Sequence, residues 1–305
     1  MEMFISIMNA AFRLTTPIAY VTLGAVVLEK SGINALAMEG IMLIGAFGAA
    51  VGSWGSGSAW IGLLTGILCG VAVSMIRSWL CISHQANQTV SGVGINILVG
   101  GVTAMLLKII WGMDGKSETV TALKDWSLPL IKNIPVIGDF LGKQNPLAYL
   151  LIPVLIMIWI LINRTPFGLR LITAGEHPDV LSSLGLKVST YRYLASVIAG
   201  VLAGIGGAYL SIGQLSFFNQ DMTSGRGYMA LAACVFGRWT VGGAFCGAVL
   251  FGVAEAIQIR LQTQVQYTQF IQMIPYVVTL IVLSGLVKKN VAAPKASGKS
   301  YREQQ

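Results

Sequence analysis

Five long stretches of this sequence contain no Asp, Glu, Lys or Arg: residues 40–76, 78–107, 144–163, 193–220 and 261–287. A helix needs about 20 mostly apolar residues to cross about 30 Å of hydrocarbon, and each stretch is long enough to do so. Only 10% of the chain is charged, whereas a soluble domain carries about 25% charged residues. The sequence therefore excludes a soluble fold and predicts an all-α, polytopic transmembrane helical bundle.

We expect about nine spans, within a range of about eight to ten. The predicted spans are residues 12–28, 33–52, 59–80, 89–110, 146–163, 191–212, 226–239, 241–258 and 268–287. The seventh is too short for a full crossing, so it predicts a short, re-entrant or broken helix. Residues 1–287 then form one transmembrane domain with a mixed polar loop at 112–145, and residues 288–305 form a basic tail.

Basic residues favour one orientation of this bundle. Cytoplasmic flanks are enriched in Lys and Arg, and the tail carries Lys288, Lys289, Lys295, Lys299 and Arg302. With nine crossings and an internal C-terminus, the 112–145 loop is external and residues 164–190 are cytoplasmic. The net charge of +8 is confined to helix ends and the tail, so it does not indicate nucleic-acid binding.

Small residues recur at intervals of four within three of the predicted spans. These are Gly62, Gly66 and Gly70; Gly200, Gly204 and Ala208; and Gly243 and Gly247. This spacing places small side chains on one helix face, where neighbouring backbones can approach closely. The stripes therefore predict tight helix–helix packing.

Glu39 is a charged residue inside a predicted span, and it lies in a run with Asn34 that glycines flank at both ends. A charge at mid-membrane costs about 2.5–3.5 kcal/mol on insertion scales, so it usually faces a cavity or a partner. The flanking glycines permit an irregular or broken helix here. Two interpretations stay open: Glu39 lines a translocation path, or it makes a structural hydrogen bond between helices.

Further polar residues lie in the fourth, seventh and eighth spans. Asn96 lies about two turns beyond Gln88, so both amides can face one side of a helix, and Asn87 adjoins them. Amides on one face suit a neutral, hydroxyl-rich or amide-bearing solute, or else they bond neighbouring helices. Arg226 and Glu255 either pair with each other or line the path.

The polar region 164–190 has the pattern of a short capped helix. Pro178 is typical of a first helical position, and Gly185 is typical of a helix end. We predict a helix from Pro178 to Leu184, preceded by a turn at Gly175. Such a helix on the basic side is a docking element or, alternatively, an interfacial loop.

Signatures of catalysis, metal binding or a nucleotide cofactor are missing from the sequence. The cysteines have no CxxC spacing, and the two histidines, His84 and His177, are far apart. Residues 298–300 read Gly-Lys-Ser, but position 293 is Ala where a phosphate loop needs Gly. We therefore expect a non-catalytic membrane protein without a cofactor or metal.

Several segments resemble the permeases of bacterial ABC importers in the branched-chain amino acid, ribose and nucleoside group. They are LEKSGINALAMEGIMLIGAF (28–47), FGLRLITAGEHPDVLSSLGL (167–186), YRYLASVIAGVLAGIGGAYLSIG (191–213) and GRGYMALAACVFGRW (225–239). The likeness is greatest to nucleoside and simple-sugar permeases. It implies a multi-pass protein of the bacterial cytoplasmic membrane.

The resemblance also implies that 168–185 is the cytoplasmic coupling segment, which docks on an ATPase subunit. The matching positions are Gly168, Arg170, Gly175, Glu176, Pro178 and Gly185. His177 departs from the family, which usually has Asn there. Because His is a poorer helix N-cap than Asn, we expect a less firm helix start.

The implied function is a translocation path for a nucleoside that opens by alternating access. The implied partners are ABC ATPase subunits that hydrolyse ATP, a second permease chain that we expect to differ from this one, an extracytoplasmic substrate-binding lipoprotein and membrane lipid. The path residues are then Asn34, Glu39, Asn87, Gln88, Asn96, Arg226 and Glu255. The alternatives are a simple sugar or branched-chain amino acid as the solute, or a stand-alone ion-coupled secondary transporter.

Overall fold

The structure is a computed structural model that describes residues 2–127, 143–262, 271, 273, 277, 293–299 and 301. Its regular structure is helical except for one short antiparallel pairing, of Trp126–Ser127 (β1) with Lys143–Gln144 (β2). The predicted all-α bundle is confirmed. The ninth predicted span, 268–287, lies outside the described residues apart from three isolated positions, as does part of the tail.

The other helices follow the predicted spans. They are α1 (Glu2–Lys30), α2 (Met38–Ser56), α3 (Ala59–Ser78), α4 (Gln88–Trp111), α5 (Pro146–Arg164), α6 (Pro166–Glu176), α7 (Pro178–Ser183), α8 (Val188–Ala208), α9 (Arg226–Phe236) and α10 (Val241–Gln262). All except α6, α7 and α9 are long and apolar enough to cross a membrane. Helix α9 has 11 residues, so the predicted short helix in seventh place is confirmed.

Helix α2 begins later than the sequence predicts, and residues 31–37 before it, the irregular segment, are not helical. Side-chain oxygens accept hydrogen bonds from two N–H groups of this segment. Glu29 Oε1 accepts from the N–H of Ala35 at 2.8 Å, and Gln88 Oε1 accepts from the N–H of Asn34 at 2.8 Å. Because these bonds replace helical ones, the expected break lies before α2 and not within it.

The stripes of small residues pack as predicted. A Cβ atom on Gly66 of α3 would lie 2.7 Å from the carbonyl oxygen of Gly45 on α2. One on Gly204 of α8 would lie 2.9 Å from the Gly66 oxygen, and one on Gly247 of α10 would lie 2.9 Å from the Ala233 oxygen on α9. Larger side chains at these positions would force the helices apart.

The bundle has two distinct ends. At the loop end, residues 112–127 bond to residues 212–219 through backbone hydrogen bonds of 2.8–2.9 Å. At the tail end, residues 164–187 lie beside the start of α8 and beside residues 293–299 and 301. The irregular segment runs from the tail end into the bundle, toward the beginning of α2.

Candidate functional site

Two helices, α2 and α9, begin inside the bundle, and neither is capped by the side chain that precedes it. Glu39, in the first turn of α2, caps α9 instead. Its Oε1 accepts from the N–H of Gly225 at 2.9 Å, and its Oε2 accepts from the N–H of Gly227 at 2.6 Å. The carboxylate thus satisfies N–H groups that a helix start leaves free, at the end of the helix dipole that favours negative charge.

Glycine is needed at position 227 because the two helices approach so closely. A Cβ atom there would lie 2.5 Å from the Cα of Glu39. Glu39 itself is 8% exposed. The structure therefore shows the structural hydrogen bonds of one interpretation, and a role for Glu39 in lining the path stays a prediction.

Asn96 of α4 joins the same two helix starts. Its Oδ1 accepts from the N–H of Gly40 at 2.8 Å, and its Nδ2 donates to the carbonyl oxygen of Leu36 and to the Tyr228 hydroxyl, each at 2.8 Å. Tyr228 lies in the first turn of α9 and is 45% exposed. The candidate site residues named from the sequence did not include Tyr228, although its position close to Arg226 in a short helix could have indicated it.

Arg226 and Glu255 form a salt bridge between α9 and α10, so the structure shows the pairing that the sequence left open. Their side chains are 16% and 10% exposed. Arg226 Nη1 also donates to the carbonyl oxygen of Met222 at 3.0 Å. Among the described residues, Arg226 Nε and Glu255 Oε2 are buried without a hydrogen-bond partner. The pair is therefore an incompletely satisfied charged group beside the start of α9.

The remaining candidate path residues lie toward the tail end. Asn34 and Gln88 are brought together by their hydrogen bond, and Gln88 is 2% exposed. Asn87 is exposed and caps α4, since its Oδ1 accepts from the N–H groups of Thr89 and Val90. Gln88 and Asn96 both bond to residues 32–40, so they share one face of α4. The hydrogen bonds of Asn87 Oδ1 are thus made within α4, not to Asn34.

Sequence reasoning also missed a set of buried charges at the tail end. Glu29, Arg77 and Arg192 are 5%, 1% and 2% exposed. The Arg77 guanidinium donates to the carbonyl oxygen of Asn34, and Arg192 Nη1 donates to that of Lys299 at 3.5 Å. In the sequence these charges look like solvated flanks because they stand at span ends. The irregular segment and the tail cover them in the structure.

The polar region between α5 and α8 holds two helices, α6 and α7, where we predicted one. The predicted helix at 178–184 is observed as Pro178–Ser183, and Gly185 follows with a φ of +75°. The predicted turn at Gly175 is wrong, because α6 continues through Glu176. Thr165 caps α6 by accepting from the N–H of Gly168 at 3.2 Å.

Close packing fixes the glycines of α6. A Cβ atom on Gly175 would lie 2.2 Å from the carbonyl oxygen of Lys30, and one on Gly168 would lie 2.2 Å from that of Ile162. The His177 side chain makes no capping hydrogen bond to α7, as expected for a poor N-cap. Helix α6 therefore ends and α7 begins at His177 without a capping hydrogen bond from the His177 side chain.

Helix α7 has one buried face and one outward face. Leu181 is 1% exposed and packs with Ala174 and Val188, whereas Val180 and Leu184 are 52% and 69% exposed. The exposed guanidinium of Arg170 donates to the Tyr191 hydroxyl at 3.2 Å. The two helices thus form a short, folded projection at the tail end of the bundle.

The described part of the chain has seven helices long enough to cross a membrane, two helix starts inside the bundle and a folded polar projection between spans. These are features of a multi-pass membrane transport protein. The chain belongs to the family of permease components of the branched-chain amino acid transport system, whose model matches residues 7–283. It is thus an ABC transporter permease of the inner membrane.

Relatives of this chain match nearly its full length. It is 34% identical to the nucleoside ABC transporter permease protein NupC of Lactococcus lactis, over 94% of this chain and 93% of that protein. It is 32% identical to the guanosine ABC transporter permease protein NupQ of Bacillus subtilis, over 97% and 96%. It is 30% identical to TsgC13 of Haloferax volcanii, named as a glucose ABC transporter permease, over 98% of each chain.

A solved structure has a similar fold. It is a metal-chelate type ABC transporter in an inward-facing conformation, and it matches with a TM-score of 0.50 over 91% of this chain and 85% of that chain. The sequences are 14% identical, so this likeness concerns the fold alone.

Proposed function

We propose that this chain is the permease subunit of an importer that moves a nucleoside across the membrane by alternating access. The observation that carries the proposal is the full-length similarity to two permeases named for nucleoside and guanosine transport. The candidate path groups are neutral amides and a tyrosine hydroxyl, together with the Glu39 carboxylate, which is bonded to backbone N–H groups, and one internally paired charge pair. Such groups suit an uncharged solute that carries hydroxyl and amide functions.

We propose that the solute passes where α2, α4 and α9 meet. Discontinuous helices that begin at mid-membrane often build transporter sites, because their N–H groups and dipoles face the path. Asn96 and Tyr228 lie at this meeting point, and Glu39 holds the two helix starts together. Asn34, Asn87 and Gln88 lie further toward the tail end, where they would line the inward exit.

We propose that α6 and α7 form the coupling segment that docks on an ATPase subunit at the cytoplasmic face. The outward face of α7 supports this role, because Val180 on α7 and Leu184 directly after it are exposed apolar side chains, and Leu181 packs the helix against the bundle. Gly168 and Gly175 allow α6 to pack closely against the bundle. A movement of α7 would therefore be transmitted to the end of α1 through the contact between Gly175 and Lys30.

The partners follow from this role. ATP hydrolysis would be carried out by separate ATPase subunits, and the permease itself would have no catalytic residue. A second, different permease chain would complete the path, and an extracytoplasmic lipoprotein would deliver the nucleoside. A transporter that alternates between two states needs such partners to bind the states differently.

Uptake by the reconstituted transporter tests the proposal. The chain is assembled with its ATPases, second permease and binding protein in proteoliposomes, and uptake of labelled guanosine, uridine, glucose and leucine is measured with and without ATP. We expect ATP-dependent uptake of the nucleosides alone. ATP-dependent uptake of glucose or leucine instead would overturn the substrate assignment. Uptake by this chain alone, driven by an ion gradient, would overturn the ATP-driven mechanism.

A further inference from the structure

The described part of the C-terminal tail, residues 293–299 and Tyr301, lies against the proposed coupling segment. The N–H of Ala296 donates to the carbonyl oxygen of Gly175 at 2.9 Å. The N–H of Lys295 donates to Glu176 Oε2 at 3.4 Å. These two bonds join the tail to the last turn of α6, directly before α7 begins.

Tyr301 reaches α7 itself. Its hydroxyl lies 2.9 Å from the Ser182 hydroxyl, and its ring packs on the small apolar cluster of Ala174, Leu181 and Val188. The Arg192 guanidinium, at the start of α8, lies 5.9 Å from the ring centroid. A helix as short as α7 is not stable alone, so contacts such as these decide its position.

The tail also contacts the irregular segment through Glu29. The Ser297 hydroxyl donates to Glu29 Oε2 at 2.9 Å, while Glu29 Oε1 accepts from the N–H of Ala35. The carbonyl oxygen of Lys299 accepts a hydrogen bond from Gln88 Nε2 at 3.3 Å. Gln88 Oε1 in turn accepts from the N–H of Asn34. Two independent side chains therefore link the tail to the backbone of the irregular segment.

The irregular segment continues to the proposed path. The carbonyl oxygen of Leu36 accepts a hydrogen bond from Asn96 Nδ2. Asn96 also accepts from the N–H of Gly40, in the first turn of α2, and donates to the Tyr228 hydroxyl. Hydrogen bonds joined by short stretches of chain thus link α7, the tail and Glu29 to the helix starts inside the bundle. None of these linking hydrogen bonds involves residues 112–127 at the loop end.

We propose that the tail, through Ser297 and Tyr301, positions the coupling segment against the irregular segment and transmits ATPase movements to the path. The inference rests on the proposed docking of α7. Without the tail, α6 and α7 keep the glycine contacts, the Leu181 cluster and the hydrogen bond between Arg170 and Tyr191. Movement of α7 then reaches the irregular segment through the close approach of Gly175 to Gly32, but no longer through Glu29 and Gln88.

Hydrogen exchange in the assembled transporter tests this transmission without reference to the solute. Exchange at the N–H groups of residues 33–36 is compared with and without a non-hydrolysable ATP analogue. Wild type is compared with a truncation that lacks 293–305 and with a control truncation that lacks only 302–305. We expect the analogue to change exchange at 33–36 in wild type and in the control, and to change it several-fold less in the longer truncation.

Point variants keep the test decisive if the longer truncation fails to assemble. Ser297→Ala and Tyr301→Ala should each reduce the exchange response several-fold, whereas Ser297→Thr, which keeps the hydroxyl, should restore it. An unchanged response in both alanine variants would overturn the proposal, and so would a wild-type transporter without any response at 33–36. Nucleoside uptake by wild type, measured in parallel, tests the proposed function separately.

Discussion

Glu39 Oε2 accepts a hydrogen bond of 2.6 Å from the backbone N–H of Gly227, a residue 188 positions later in the chain. This bond joins two helix starts, and each of them lies inside the bundle. Helix starts supply unpaired N–H groups and a positive dipole end. In this chain those groups hold the two helix starts together, beside the Asn96 and Tyr228 side chains of the proposed path.

Replacing Glu39 separates its structural role from a role in transport. Glu39→Ala removes the side-chain acceptor from one half-buried and one buried N–H group, and leaving a buried group unsatisfied costs about 1–3 kcal/mol. We expect lower thermal stability together with a larger loss of uptake per assembled transporter, and Glu39→Gln should recover part of both. If only protein levels fall while uptake per transporter is normal, Glu39 is purely structural.

Changes in the coupling segment should abolish ATP-driven uptake and spare membrane insertion. Glu176→Lys places a positive charge at the end of α6, beside the backbone of Lys295, and deletion of 176–184 removes α7. Uptake and membrane content are measured for each variant. Glu118→Lys, at the loop end, is the matched charge-reversal control and should keep ATP-driven uptake. Normal uptake by the Glu176 variant would contradict a docking role.

The salt bridge between Arg226 and Glu255 predicts a non-additive pair of variants. Removing one partner of a buried pair leaves a buried charge and costs about 3–5 kcal/mol, whereas replacing both partners by apolar residues costs far less. We therefore expect Glu255→Met to lower the thermal unfolding temperature more than the double variant with Arg226→Met. Equal losses in the single and double variants would show that pairing does not stabilise the bundle.

Two glycines in neighbouring spans give a matched test of helix packing. A Cβ atom on Gly66 would meet the carbonyl oxygen of Gly45 at 2.7 Å, whereas one on Gly94 would meet nothing within 4 Å. Gly66→Ala should destabilise the protein in thermal unfolding. Gly94→Ala should be neutral or stabilising, because Ala is favoured over Gly in helices by about 1 kcal/mol. The reverse order would contradict the packing of α3 on α2.

The long helices could be predicted because crossing a membrane requires uncharged runs of a fixed length. The small-residue stripes could be predicted because lipid gives no hydrophobic drive for helix association. The irregular segment could not be placed correctly, since Gln88 and Asn96 hold it from more than 50 residues away. Helix α6 was missed although Thr165 and Pro166 form a recognisable start signal.

The candidate site was only partly predictable for a related reason. Polar residues inside a span stand out in the sequence, so Glu39, Asn96, Arg226 and Glu255 were found. Their partners are mostly backbone groups of other helices, which no pattern of side chains reveals. Tail contacts such as those of Tyr301 depend on the three-dimensional arrangement of several helix ends, and composition alone indicated only a basic flank.

Labelling of α7 tests most directly the central claim that energy enters through an inward-facing coupling segment. A single cysteine is introduced as Asp179→Cys after the native cysteines are replaced by alanine. A membrane-impermeant maleimide is then applied to right-side-out and inside-out vesicles, with and without the ATPase subunits. The account predicts labelling only in inside-out vesicles and protection by the bound ATPase. Labelling in right-side-out vesicles would contradict it.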